Sequence, residues 1–148
     1  MKINIINENK KDVLDLLLLA DEQESMIDRY LERGDLFALY DDDLRSICVV
    51  TYEGDDAYEI QSLATYPQYQ RQGYAGQLID HVCGYYKDKG ATMIVGTGDS
   101  LIPFYEHNGF VFSYRIENYF VDHYDNPIFD DGVQLKDKVF LKRNLRQV

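Results

Sequence analysis

The chain has no tryptophan, only two cysteines and, for its 148 residues, little positive charge. Fifteen Lys and Arg stand against 26 Asp and Glu, a net charge of −11. Nucleic-acid binders draw affinity from cations that neutralise phosphates, and anionic membrane surfaces ask for the same, so neither class of partner fits. Cys48 and Cys83 lie in apolar stretches without CxxC spacing. Two such thiols cannot build the disulfide framework of a small secreted protein, and a cytoplasmic location is expected. His81, His107 and His123 keep no ligand spacing with the cysteines, so no metal site is expected. Long apolar runs are missing too. The longest, Val13 to Ala20, is broken by Asp15 and falls far short of the roughly 20 residues of a membrane span. The N-terminus lacks a basic region followed by a small-residue cleavage site.

What the chain does have is core-forming material. Hydrophobic residues make up 45% and aromatics 14%, the latter from 13 Tyr and 7 Phe, enough for one domain over residues 1–148. Alternation at Ile3 and Ile5 predicts a first strand at Lys2–Ile6. Helices are predicted at Lys11–Ala20 and Glu22–Arg33, the second closing at Gly34. Leu36–Tyr40 and Leu44–Tyr52 form a hairpin around Asp41-Asp42-Asp43, and Ala57–Thr65 is a third long strand. After Gly73, apolar residues at Ala75, Leu78, Ile79, Val82, Cys83 and Tyr86 define one face of a helix that stops near Gly90. A buried strand at Thr92–Thr97, a short helix at Ser100–Asn108, a strand at Gly109–Val121, an acidic loop at Asp122–Asp137 and a strand at Val139–Leu145 complete the order. Helices interleaved with strands and hairpins predict an α/β (α+β) fold, a central mixed, mostly antiparallel sheet flanked by helices.

The junction Pro67-Gln68-Tyr69-Gln70-Arg71-Gln72-Gly73-Tyr74-Ala75-Gly76 lies between a strand and an amphipathic helix. Glycines admit a ligand close to the backbone, and the first amides of a helix have no internal partners. With the helix dipole they suit a phosphate, and Arg71 adds a cation. A loop that merely turns the chain is the plainer alternative. A dinucleotide-binding G-x-G-x-x-G is excluded by the glycine spacing and the mid-chain position, and a P-loop by the missing Gly-Lys-Ser/Thr.

Gln70-x-x-Gly73-x-Ala75 resembles the Q/R-x-x-G-x-G/A pattern of the GNAT acetyltransferase superfamily. The strand Tyr58–Thr65 before it and Phe104-Tyr105-Glu106-His107-Asn108-Gly109-Phe110 beyond it resemble the corresponding family segments. The likeness extends over nearly the whole element order. It implies a single GNAT-like domain that binds acetyl-CoA, with no metal, and transfers acetyl to a primary amine of a small molecule or protein in a ternary complex. Gln70, Arg71, Gln72, Gly73, Tyr74, Ala75 and Gly76 would then hold the pyrophosphate, and Leu63, Ala64 and Thr65 the pantetheine arm as an added strand. Ser100 stands where many members have Asn, and would meet the cofactor there.

The transfer needs a base for the amine, whose pKa is about 10.4 when free, and an acid for the departing thiolate. The resemblance implies Tyr105 as the acid; packing beside Phe104 and Phe110 is its structural alternative. Glu59 is the implied base, with Asp99 as a second carboxylate in reach. Glu53, Asp55, Asp56 and Glu59 are expected to cluster near the reaction centre with Asp99, favouring a cationic acceptor such as a polyamine. A silent acyl-CoA-binding sensor of the same fold and a purely structural interaction module are the rival readings, and a homodimer is compatible with all three.

Overall fold

The computed structural model of the chain describes residues 1–146. Seven strands form one sheet: β1 (Lys2–Ile6), β2 (Asp35–Asp41), β3 (Asp43–Gly54), β4 (Ala57–Thr65), β5 (Thr92–Thr97), β6 (Val111–Ile116) and β9 (Lys138–Asn144), in the order β1-β2-β3-β4-β5-β9-β6. Every neighbouring pair is antiparallel except β4 and β5, which run parallel. The mixed, mostly antiparallel sheet expected from the sequence is therefore present. Strands β7 (Ile128–Asp130) and β8 (Val133–Leu135) form a separate hairpin.

The central strands are apolar at nearly every position because both faces of the sheet are covered. In β2, Phe37 and Leu39 turn to one face while Leu36 and Ala38 turn to the other, and all four are fully buried. The Phe37 side is closed by α3 (Tyr74–Tyr86) and α4 (Ile102–His107). Leu78, Ile79 and Val82 of α3 have no exposed surface, the face that the three-and-four spacing predicts. Each such side chain is worth about 1.5–3 kcal/mol of burial. On the other face α1 (Leu14–Ala20) and α2 (Glu24–Ile27) bring Leu16, Leu17 and Ile27 onto Leu36, Ala38 and Val49.

Three stretches differ from the sequence expectation. The helix predicted over Glu22–Arg33 is a single turn, α2, followed by turns up to Gly34. Arg29 and Tyr30 donate to carbonyls three residues back, and the carbonyls of Leu31, Glu32 and Gly34 are taken by the buried ammonium of Lys10 at 3.0, 3.1 and 2.7 Å. The Lys10 ammonium thus caps the carbonyls at the end of this segment, the ones a helix ending there would leave without donors. The strand expected to run from Gly109 to Val121 ends at Ile116. Asn118, in the left-handed region at φ 56, gives its amide to Asp137 and starts a short helix, α5 (Tyr119–His123). The expected acidic loop contains the β7–β8 hairpin, turned by Asp131 and Gly132 at φ 51 and 76. An Asp-Gly pair is a strong hairpin signal, and here it joins the paired residues Asp130 and Val133. Among the described residues no helix is long and apolar enough to cross a membrane.

Candidate active site

The parallel pair β4–β5 is hydrogen-bonded only from Ala57 to Ile60 and from Thr92 to Val95. Beyond that point the strands part. β4 stays with β3, Ser62 to Thr65 facing Val49 to Ser46, and β5 stays with β9. The split coincides with a bulge: Val50 opposes Ile60 and Val49 opposes Ser62, leaving Gln61 without an opposite residue. A bulge bends its strand and re-aims the residues on either side. The fork leaves the backbone edge of Leu63, Ala64 and Thr65 without a neighbouring strand.

The loop after β4 carries the residues singled out in the sequence. Gln70 gives its side-chain amide to the Thr65 carbonyl at 3.2 Å, Gln72 reaches back to Gln68, and Arg71 and Gly73 sit at φ 63 and 88. Only glycine adopts the Gly73 conformation without strain. Among the described residues, none of the backbone amides from Arg71 to Gly76 donates to a protein group. Those amides open the positive end of a 13-residue helix, the arrangement that binds phosphate. Tyr74 contributes only its amide, because its ring is buried and its hydroxyl donates to Asp41 at 2.8 Å. At Gly76 a Cβ would come 3.2 Å from the Asn108 Oδ1, so the missing side chain also lets α4 close on α3.

On the α1 and α2 side the fork opens into a cavity of about 510 Å³. Glu59 lines it from β4, next to the bulge. Its neighbour Glu53 is engaged by Arg33 at 2.8 Å and by the Thr51 hydroxyl at 2.7 Å. Among the described residues no donor reaches the Glu59 carboxylate. Burial holds its pKa above the usual carboxylate range; Lys138 opposes the shift, Glu53 adds to it and Arg33 opposes it. A buried carboxylate facing a cavity, its pKa raised by burial, has the setting of a group that exchanges protons with a ligand.

On the opposite wall sequence reasoning missed Asp21 and Tyr30. Asp21, at the end of α1, accepts from Tyr124 at 2.7 Å and Tyr30 at 3.2 Å, and the Tyr30 hydroxyl also meets Ser62 at 2.7 Å. Burial raises the Asp21 pKa against the lowering effect of those hydrogen bonds. Tyr124 belongs to the Asp122–Asp137 stretch, which the sequence presents as a solvated acidic loop ahead of a pocket lining by His123, Tyr124, Asp130 and Asp131; nothing in the local pattern reveals a partner 103 positions away.

Other predicted residues are placed differently. Asp99 is not in this cavity. Arg115 holds it through two hydrogen bonds of 2.7 and 3.1 Å, so the second candidate base is neutralised by an ion pair. Asp55 and Asp56 form the β3–β4 turn, away from the cavity, so only Glu53 and Glu59 of the expected acidic cluster reach it. Ser100 lines the cavity with its hydroxyl donating to Asp130, which sets it on this side of the fork and apart from the loop before α3.

Tyr105 projects from α4 on the α3 side of the sheet, edge-on to both Phe104 and Phe110. Burial drives its pKa far above the ordinary value, and the Cys48 thiol on β3 adds to the shift. Because Cys48 pairs with Leu63, this proximity carries the tyrosine toward the opened part of β4. Among the described residues its hydroxyl has no hydrogen-bond partner. Both cysteines are buried and free; burial pushes the Cys48 thiol up strongly and that of Cys83 to about 11, so neither is poised as a nucleophile.

Known proteins are similar to this chain in sequence and fold. Residues 32–112 match the acetyltransferase (GNAT) domain family. The uncharacterized N-acetyltransferase YvbK of Bacillus subtilis is 33% identical over 150 residues, covering 98% of this chain and 97% of that one. A GNAT family acetyltransferase from Elizabethkingia anophelis, crystallised with acetyl-CoA, superposes with a TM-score of 0.90 at 29% identity, covering 97% of both chains. A Bacillus subtilis acetyltransferase in complex with CoA gives 0.86 at 32% identity and the same coverage.

Proposed function

Because this chain belongs to the GNAT acetyltransferase family, we propose that it transfers the acetyl group of acetyl-CoA directly to a primary amine of a small molecule or protein. The observation that carries the reading is the fork between β4 and β5, with unpaired helix amides on one side and an unpaired carboxylate in a cavity on the other. The residues fit the cosubstrate. The amides of residues 71–76 suit its pyrophosphate and the free edge of Leu63–Thr65 suits its amide-bearing arm. When bound, it supplies an activated acetyl group as a thioester. Glu59 takes the proton from the ammonium of the acceptor, and its raised pKa brings it closer to that task at neutral pH. Tyr105, buried and firmly protonated, keeps a proton to give to the departing sulfur. The two inert thiols favour transfer in one ternary complex over a covalent acetyl-enzyme.

An acceptor screen that follows free CoA, with mass spectrometry of the product, tests this. One new acetyl group on an amine is expected. Tight acetyl-CoA binding with no amine ever modified would instead leave the chain as a binding sensor.

A further inference from the structure

Lys138, the first residue of β9, does not extend into solvent. Its stem lies across β5 at Gly96, where a Cβ would collide with the Lys138 Cε and stand 3.2 Å from its Cδ. Gly96 is the first residue of β5 beyond the split from β4, so the lysine crosses the sheet at the fork itself. Its ammonium ends 4.5 Å from the centre of the Tyr119 ring and 5.1 Å from that of Phe140. Aromatic faces hold a cation without neutralising it. Among the described residues no carboxylate lies within 4 Å of this ammonium, although Glu59 and Asp21 both feel its charge. The cavity therefore contains a positioned, half-buried cation that no carboxylate among the described residues pairs with.

We propose that Lys138 receives a carboxylate of the acceptor, making the substrates small amines that carry a carboxylate on an apolar body, amino-acid-like compounds rather than polyamines. This rests on the transferase reading above and names its substrate class. The amine is drawn toward Glu59 and the carboxylate toward Lys138, so the two ends of a zwitterion meet opposite charges on the same face of the sheet. A single ammonium with two carboxylates in electrostatic reach suits a monoanion better than a phosphate dianion. Leu19, Met26, Phe120 and Phe129 supply apolar wall, and about 510 Å³ accommodates a molecule of amino-acid or dipeptide size.

The test uses matched probes: phenylalanine, phenylalaninamide and phenethylamine, with the corresponding leucine set, titrated calorimetrically into CoA-saturated protein. Each acid is expected to bind at least about tenfold more tightly than its amide, about 1.4 kcal/mol. Lys138→Met keeps the stem and removes the charge, and the ratio should fall to within about twofold of one. Lys138→Arg should restore part of the preference. Gly96→Ala keeps the charge but displaces the stem, and should lower the ratio as well. Amides or decarboxylated amines binding as well as the acids, or acids that do not bind, would overturn the proposal. Turnover on the same probes separates the two readings. Acids that bind with carboxylate preference but are never acetylated defeat the transferase and leave the carboxylate site, whereas equal acetylation of acids and amides does the reverse.

Discussion

The two sides of the β4–β5 fork are built from different material. Toward α3 the surface is main chain: unpaired amides of residues 71–76 and the bare edge of β4, all from one continuous stretch. Toward α1 and α2 it is side chain: Asp21, Tyr30, Glu59, Tyr124 and Lys138, drawn from five separate places in the chain. Backbone recognition suits a group that never changes, because its geometry is fixed by the fold. Side-chain recognition can be altered one residue at a time. A shared acetyl donor and a variable acceptor call for such a division.

The sharpest way to break this comparison is at the proposed acid. Tyr105→Phe keeps the ring and removes a hydroxyl that has no hydrogen-bond partner among the described residues. The rate should fall by about 10²–10⁴ while acetyl-CoA affinity changes little. A packing tyrosine would behave otherwise: steady-state turnover within about threefold of wild type would return Tyr105 to the core and require another donor.

Lys10 sharpens it from the side-chain half. Lys10→Met strands the carbonyls of Leu31, Glu32 and Gly34 under the turns that support the acceptor wall. A loss of about 3 kcal/mol is expected, which lowers Tm by roughly 6–12 °C. Thermal unfolding checks this, and a Tm unchanged within a degree would mean that water or a rearranged loop serves those carbonyls.

Glu59→Gln should slow turnover about a hundredfold at pH 7 and flatten the acid limb of the kcat/KM profile. The sign of the accompanying stability change follows from the raised pKa. The folded state binds the Glu59 proton more tightly than the unfolded chain. Its favourable contribution is complete below the unfolded carboxylate pKa and fades as pH rises through the folded one. The glutamine variant should therefore be slightly more thermostable than wild type at pH 7, with the advantage vanishing near pH 4. A Tm that falls at pH 7 would show Glu59 to be held by favourable partners.

The main-chain half is challenged by Gly73→Asp, which adds a side chain and a negative charge where φ is 88 and a phosphate is expected. Acetyl-CoA affinity, measured by calorimetry, should drop at least about tenfold, roughly 1.4 kcal/mol. Equal affinity in a folded variant would remove the loop from the site.

The same division explains what could be read from the sequence. The Gln70–Gly76 loop and α3 were legible because a left-handed glycine, unpaired amides and a three-and-four apolar face are local properties. The unbroken apolar run from Leu36 to Leu39 likewise marks a strand covered on both faces. The Glu22–Arg33 stretch is one helical turn and further turns, and the end of it is held by Lys10, a distant cation that no local pattern announces. Asp99 looked like a second base until Arg115, 16 positions on, was found to hold it. Lys138 was invisible for a similar reason: its meaning lies in Gly96, a missing side chain on another strand. Local physics is written in the residues that perform it, and tertiary physics is not.

The fork also shapes how the molecule assembles. β5 is paired with β4 for four residues but with β9 along its whole length, and those partners are joined across more than forty positions of chain. The β2–β3–β4 meander closes through short turns and can form early, whereas β5 gains a full ladder only when β9 returns from the far side of the hairpin. Completion of the sheet and completion of the acceptor cavity are thus a single late event. A molecule that fills the fork binds only the completed sheet and so acts as a clasp on the β5–β9 seam.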